Sequence, residues 1–202
     1  MIVSLIALAG TAQAAQKYKV IKSGNNNSNS SSSMNYSSNY NSNADAGFKF
    51  EARPGLGTVS STFAFGASLE GKYGFNVGHG QNIFAGLESG FYHSSQAYPG
   101  NQFVSIFANM IPIVATGSFE FPVSHKVKLS AGTSLGIALI TAGASIDSTQ
   151  LPGVTAPPSQ TSTKFIWSVR PGMVLNDMFV AELPLGTVDG AFYFLPSIGA
   201  RF

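Results

Sequence analysis

The residues able to do chemistry are few. Among 202 residues there are 9 Asp and Glu, 11 Lys and Arg, 3 His and no Cys. Without Cys there is no thiolate nucleophile, no disulfide and no Cys-ligated metal. A nucleophile such as Ser needs a base within hydrogen-bond reach and a third group to orient that base. His79 and His125 fall in expected turns, and His93 stands two residues before Ser95. The next acid after His93 is Glu120, at the far end of the following strand. His93-Ser94-Ser95 therefore reads as a polar loop base, and no catalytic residue is assigned. No cluster has metal-ligand spacing, so metal and cofactor are expected to be none. A net charge of +2 is too small to point to nucleic acid.

The charges follow another rule, which is parity. Successive side chains of a strand point to opposite faces. The spacing predicts eight strands, near Phe48–Gly57, Thr62–Phe75, Asn82–Tyr92, Phe103–Phe121, Val127–Thr141, Lys164–Leu175, Phe179–Gly186 and Ala191–Phe202. On the first, Phe48, Phe50 and Ala52 oppose Lys49, Glu51 and Arg53. On the second, Phe63, Phe65, Leu69 and Tyr73 oppose Glu70 and Lys72. Further along, Leu87 opposes Glu88, Phe119 opposes Glu120, Leu129 opposes Lys128, Trp167 and Val169 oppose Arg170, Leu183 opposes Glu182, and Phe202 opposes Arg201. Every Glu and every Arg falls on the less apolar face of a strand, while Asp45, Asp147, Asp177 and Asp189 fall in the leader, loops or turns.

The apolar faces carry aromatics near both strand ends, which is the pattern of a lipid-facing barrel with two aromatic girdles. The opposite faces are rich in Gly, Ala and Ser. Charged residues are only 10% and mean hydropathy is slightly positive, at +0.16, with no run long enough for a membrane-spanning helix. A membrane barrel reconciles these figures, because each strand needs one apolar face only. The fold class expected is all-β, an eight-stranded antiparallel up-and-down transmembrane β-barrel. Short connections at 122–126 and 176–178 and a moderate one at 76–81 are expected at the periplasmic end. Longer loops are expected after the third and fifth strands, the longest being 142–163. Five prolines inside the strands, Pro54, Pro112, Pro171, Pro184 and Pro196, each remove a ladder hydrogen bond. They are expected to mark bulges or strand tops above the membrane.

Ahead of the strands, residues 1–14 read as a signal peptide with an apolar core at 2–10 and a small-x-small site at Ala12-Gln13-Ala14. No Lys or Arg precedes that core. Residues 15–47, dominated by Asn and Ser, read as a disordered periplasmic leader, since they bury too little apolar surface to offset ordering entropy. Residues 48–202 form the barrel.

The closing strand ends in Phe202 and has Phe192, Phe194, Ile198 and Ala200 on its face. With the strand count, parity and loop alternation, this resembles the small eight-stranded bacterial outer-membrane proteins of the OmpX/Ail and OmpA-transmembrane type. The likeness covers Phe48 to Phe202. It departs from the family pattern at Ser197, where the family has Gly five residues before the final Phe. The resemblance implies a monomer in outer-membrane lipid, inserted by the barrel-assembly machinery with Phe202 as the assembly signal. It also implies a structural or surface-interaction role, with an extracellular partner reached through 142–163; with no catalytic residue assigned, no enzyme activity is expected. Eight strands leave an interior just wide enough for side chains. Glu51, Glu70, Glu88, Glu120 and Glu182 are therefore expected to meet Lys49, Arg53, Lys72, Lys128, Arg170 and Arg201 in one ion-pair network that plugs the lumen. Two alternatives are a transporter of small hydrophobic molecules resembling OmpW, entered past Tyr193, Leu195 and Ile140, and a lipid-modifying enzyme built on His93.

Overall fold

Strands with one hydrocarbon face and one charged face can hide the charged faces together only by curling the sheet into a tube. The computed structural model describes residues 47–202 apart from positions 79, 100, 148 and 152, with no side chain at 102. The signal peptide, the leader up to residue 46, Asp45 and His79 lie outside the described residues. Ten strand segments follow in order: β1 (Gly47–Val59), β2 (Thr62–Gly78), β3 (Gln81–Tyr98), β4 (Asn101–Ser124), β5 (Val127–Ile146), β6 (Gln160–Leu175), β7 (Phe179–Glu182), β8 (Leu185–Val188), β9 (Ala191–Phe194) and β10 (Ser197–Arg201). All pairings are antiparallel. β1 pairs with β2 on one side and with β9 and β10 on the other, so the sheet closes. β7 and β8 both pair with β6 and are two halves of one stave, as are β9 and β10. The ring therefore has eight staves.

Turn chemistry sets several corners. Ser60 and Ser61 both take positive φ between β1 and β2, as do Asp189 and Gly190 between β8 and β9. Two-residue hairpins with both central φ positive match the twist of the strands they join, and Asp-Gly is a favoured pair for them.

Three expectations about length are corrected. Residues 93–98 and 101–102 continue β3 and β4, so the connection after the third stave is the two-residue step at 99–100, not a long loop. The loop expected over 142–163 shrinks to 147–159, because both of its ends are paired. Ala142 lies opposite Gln160, and Thr141 hydrogen-bonds Thr161 across the strands at 2.8 Å. Ser, Thr and Ala there read as loop by polarity, but in a ladder they alternate as well as larger residues do. Third, the last two staves are interrupted at Leu183-Pro184 and Leu195-Pro196. The other three prolines keep register: Pro54 pairs with Ala67, Pro112 with Ala138 and Pro171 with Ala131, so none of them marks a bulge.

About 9–11 residues suffice for a tilted strand to cross a bilayer, and β4 has 24. β2 follows β3 only as far as Ala64 opposite Ser94. Beyond that level β3 to β6 stand up as a sheet above the first and last staves. In the remaining loop, Thr149 donates to the Asp147 carboxylate from its N–H at 3.0 Å and its hydroxyl at 2.5 Å. These bonds hold the exposed Asp147 carboxyl below its ordinary range.

The ring is locked at the turn end by Phe202. Its N–H donates to the Phe50 carbonyl at 2.8 Å, and the Phe50 N–H donates to the Phe202 carbonyl at 3.1 Å. The Phe202 ring is 75% exposed on the outer wall. Deleting Phe202 removes both closing bonds and the ring. The expected outcome is less heat-modifiable barrel in the membrane fraction and more degraded or aggregated chain. Unchanged amounts of folded barrel would show that closure does not depend on this residue.

Candidate functional site in the barrel lumen

Parity carries through the whole ring, including the broken staves. Phe48, Phe50, Phe65, Leu69, Leu87, Trp167, Phe192 and Ile198 are exposed on the outside, and Glu51, Arg53, Glu70, Lys72, Glu120, Arg170, Glu182 and Arg201 are buried inside. Alternation alone puts the charges there, since a residue two places along returns to the same face.

At the centre is Arg53, 1% exposed. One terminal nitrogen lies 2.8 Å from both Glu51 and Glu182, and the other lies 2.7 Å from Glu70 and 2.8 Å from Glu88. Arg170 comes from the facing wall and meets Glu182 at 2.5 Å, Glu88 at 2.8 Å and Glu70 at 3.1 Å. Toward the turn end, Arg201 reaches Glu51 at 2.7 Å and binds Glu120, with a second contact at 3.1 Å. Lys72 pairs with Glu51 at 2.7 Å. The Thr116 hydroxyl donates to Glu70 at 2.6 Å. Thus five carboxylates from five staves share four cations. Guanidinium suits this work, because its fixed fork of donors can hold several carboxylates at once.

One residue of the expected set stands apart, and another has a partner in a turn. Lys49 is half-buried at the turn end, and no ion pair joins it to the others among the described residues. Lys128 lies 2.6 Å from Asp177 of the turn after β6. Phe84 was also missed. It is 2% exposed inside the barrel, with the Lys72 ammonium 5.0 Å and the Arg201 guanidinium 5.5 Å from its ring centre. Its parity with Glu88, four residues on, was the available signal. Cations over a desolvated ring face gain from its quadrupole. Small residues make room for this packing. A Cβ at Gly199 would stand 2.1 Å from the Ala52 carbonyl oxygen and 2.6 Å from Cγ of Arg53.

Above the charges, toward the loop end, the lumen turns apolar. Tyr92, Met110, Val114, Ile166, Tyr193 and Leu195 pack into one buried cluster with Ala64, Ala138 and Val188. The cavity remaining beside Glu88 and Arg170 is about 30 Å³, room for about one water. Oxygens of Glu51, Glu70 and Glu182 lie within 4.8 Å of one another, close enough to share a metal ion. Arg53 and Arg170 already stand among them and supply the positive charge. The donor set therefore fits guanidinium and does not call for a metal. His93 sits on the outward parity. Its Nδ1 is 2.8 Å from the Asn109 side-chain oxygen and its ring meets Phe65 edge-on at 5.5 Å.

A closed sheet with ionised residues inside and hydrocarbon outside has the architecture of a membrane-spanning β-barrel. Solved structures similar to the chain are small eight-stranded outer-membrane barrels. One is Ail, the attachment invasion locus protein of Yersinia pestis, at 15% identity over 78% of this chain and 97% of that chain, TM-score 0.41. Another is the N-terminal barrel domain of Pseudomonas aeruginosa OprF, at 10% identity over 78% and 99%, TM-score 0.46. A third is Neisserial surface protein A, at 15% identity over 76% and 94%, TM-score 0.45. No family model matches the chain, and no curated protein matches it. The likeness is one of fold, and the class rests on the barrel's own geometry.

Removing one partner of a buried ion pair leaves an uncompensated charge and costs about 3–5 kcal/mol. Arg53→Ala, which takes a shared cation from four carboxylates, is expected to fall in that range. Glu88→Ala should lose less, because its side chain is 12% exposed and Arg53 and Arg170 keep other partners. Leu87→Ala, at a residue 68% exposed to the outside, should be nearly neutral. Denaturant titrations in lipid vesicles order the three. If Leu87 proves the most sensitive, the hydrocarbon face is turned inward and the membrane reading falls.

Proposed function

We propose that the chain is a structural and surface-interaction protein of a bacterial outer membrane, with its lumen plugged by side chains. The observation that supports this reading is the double closure of the interior: an ion-pair network across the middle and an apolar cluster over it. Such a lumen does not conduct. It holds the staves together from within, where a soluble barrel would use a hydrophobic core. The outer-membrane lipid is the partner of the outer wall, and the barrel-assembly machinery is the partner during insertion. The chain acts as a monomer, with both ends of the barrel domain on the periplasmic side and the tall β3–β6 sheet outside.

The surface role belongs to that sheet and to loop 147–159. Apart from Asp147, their chemistry is uncharged, built from Ser, Thr, Asn, Gln, aromatics and small apolar residues. Lys164 is the one Lys or Arg at the loop end, and it pairs with Asp189 at 2.6 Å. One of the solved structures similar to this chain is a complex of Ail with the heparin analogue sucrose octasulfate. The loop end here lacks the cluster of cations that a polysulfate would need, so an uncharged partner suits it better.

The rival readings find less support. Tyr193 and Leu195 are buried in the apolar cluster and Ile140 packs against it, so they do not open a hydrophobic entrance. His93 faces the outer wall with Asn109 and Phe65, away from every Glu of the network.

Two measurements test the proposal. Protease added to intact cells is expected to cut within 147–159 and to spare the Asn/Ser leader. Cleavage of the leader in cells with a sound outer membrane would reverse the orientation. Vesicles loaded with the refolded barrel are expected to swell no faster in small sugars than empty vesicles do. Rapid swelling would replace the plugged barrel with a pore.

A further inference from the structure

The prolines inside the strands have a pattern of their own. A proline offers a carbonyl to its neighbour but no N–H in return. The Leu183 N–H donates to Pro171 at 2.9 Å, the Leu195 N–H to Pro184 at 3.1 Å and the Leu56 N–H to Pro196 at 3.1 Å. In each pair the reciprocal bond cannot form. Pro54 adds a fourth gap, for the β1–β10 ladder runs through Ala52 opposite Ala200 and resumes only at Gly55 opposite Ser197. These four prolines fall on three successive junctions, from β6 across the two broken staves to β1. Pro112 is alone on the other wall, where β3–β4 pairing lapses between Ser89 and Tyr92.

The outer surface of the proline flank is hollowed. Two depressions of about 580 and 430 Å³ share Pro54, Ala181 and Ile198, so they form one continuous groove. Its lining is almost wholly apolar. It starts beside Phe179 and Ala200, next to the turn-end girdle, and ends near Leu183, about midway up the staves. Small side chains and missing ladder bonds together produce the hollow.

We infer that this groove holds one acyl chain of a phospholipid from the turn-end leaflet. The inference rests on the membrane reading of the outer wall. A headgroup does not fit, because the groove lies below the girdle and offers it no charged partner. A hollow left unfilled forfeits its dispersion contacts. A hydrocarbon chain already aligned with the staves restores them, and the rings of Pro54 and Pro196 with Ala52, Ala181 and Ala200 shape the channel that receives it.

The test is native mass spectrometry of the refolded full-length barrel in detergent, titrated with dipalmitoyl phosphatidylethanolamine. The wild type is expected to retain one lipid per monomer. Ala181→Phe and Ala200→Phe fill the groove, and retention is expected to fall about tenfold, the equivalent of losing two buried methylenes. Ala115→Phe, lipid-facing on another wall, should leave retention unchanged. A folded wild type that keeps no lipid, equal loss in Ala115→Phe, or a lipid-free dimer would overturn the inference. Heat-modifiable migration of the wild type reports the barrel separately: its failure would sink the membrane reading, whereas folded but lipid-free protein sinks only the groove. An independent measurement needs no groove-filling variant. In a Trp167→Phe background, Leu183→Trp should be quenched by chain-brominated lipid at a lower lipid fraction than Trp167 is in the wild type. Equal quenching would also overturn the inference.

Discussion

Hydrocarbon offers no hydrogen bonds, and the rest of the structure depends on that constraint. Every backbone N–H and C=O at membrane depth must find a partner within the protein. A sheet satisfies this only when its first stave meets its last, which is why the mutual bonds of Phe50 and Phe202 and the β1–β10 ladder matter more than any one side chain. Closure then forces a choice of faces. The hydrocarbon faces must look out, so the charged faces look in, and the interior is organised by ion pairs where a soluble barrel would use apolar packing.

Those ion pairs are held in a dry place, where an unpaired charge is costly and a shared one is tolerable. The structure answers by letting each guanidinium serve several carboxylates from different staves. Arg53 joins β1 to β2, β3 and β7, and Arg170 joins β6 to β2, β3 and β7. The network is therefore a set of cross-braces, each spanning the tube. The apolar cluster lies over it at the loop end, where Tyr92 and Tyr193 pack with Met110, Val114 and Leu195.

The two walls of the barrel differ. On one wall β3, β4 and β5 are long and continuously paired, apart from the lapse at Pro112. On the other the staves are short, broken and proline-bearing. The long wall supplies the sheet that rises above the membrane. The broken wall carries the seam, the missing donors and the groove. The same closure that satisfies most backbone groups thus leaves its least complete pairing on one wall.

The sequence by itself determined the alternation, and with it the number of staves, the inward set of Glu and Arg and the outward girdles. Parity is local: it needs only the next residue but one, so Glu51 and Arg201 could each be assigned a face without knowing that they touch. Legible too was the special status of the strand prolines, though not its meaning. Only the tertiary structure decided what depends on register between distant staves. It paired Lys128 with Asp177, left Lys49 outside the network, and set Phe84 under two cations. It also extended β3 to β5 through Ser- and Thr-rich segments that polarity alone assigned to loops, because a partner strand across the ladder makes such residues extended. The grouping of four prolines on one flank followed from the same cause, since residues far apart in the chain become neighbours only once the ring is closed.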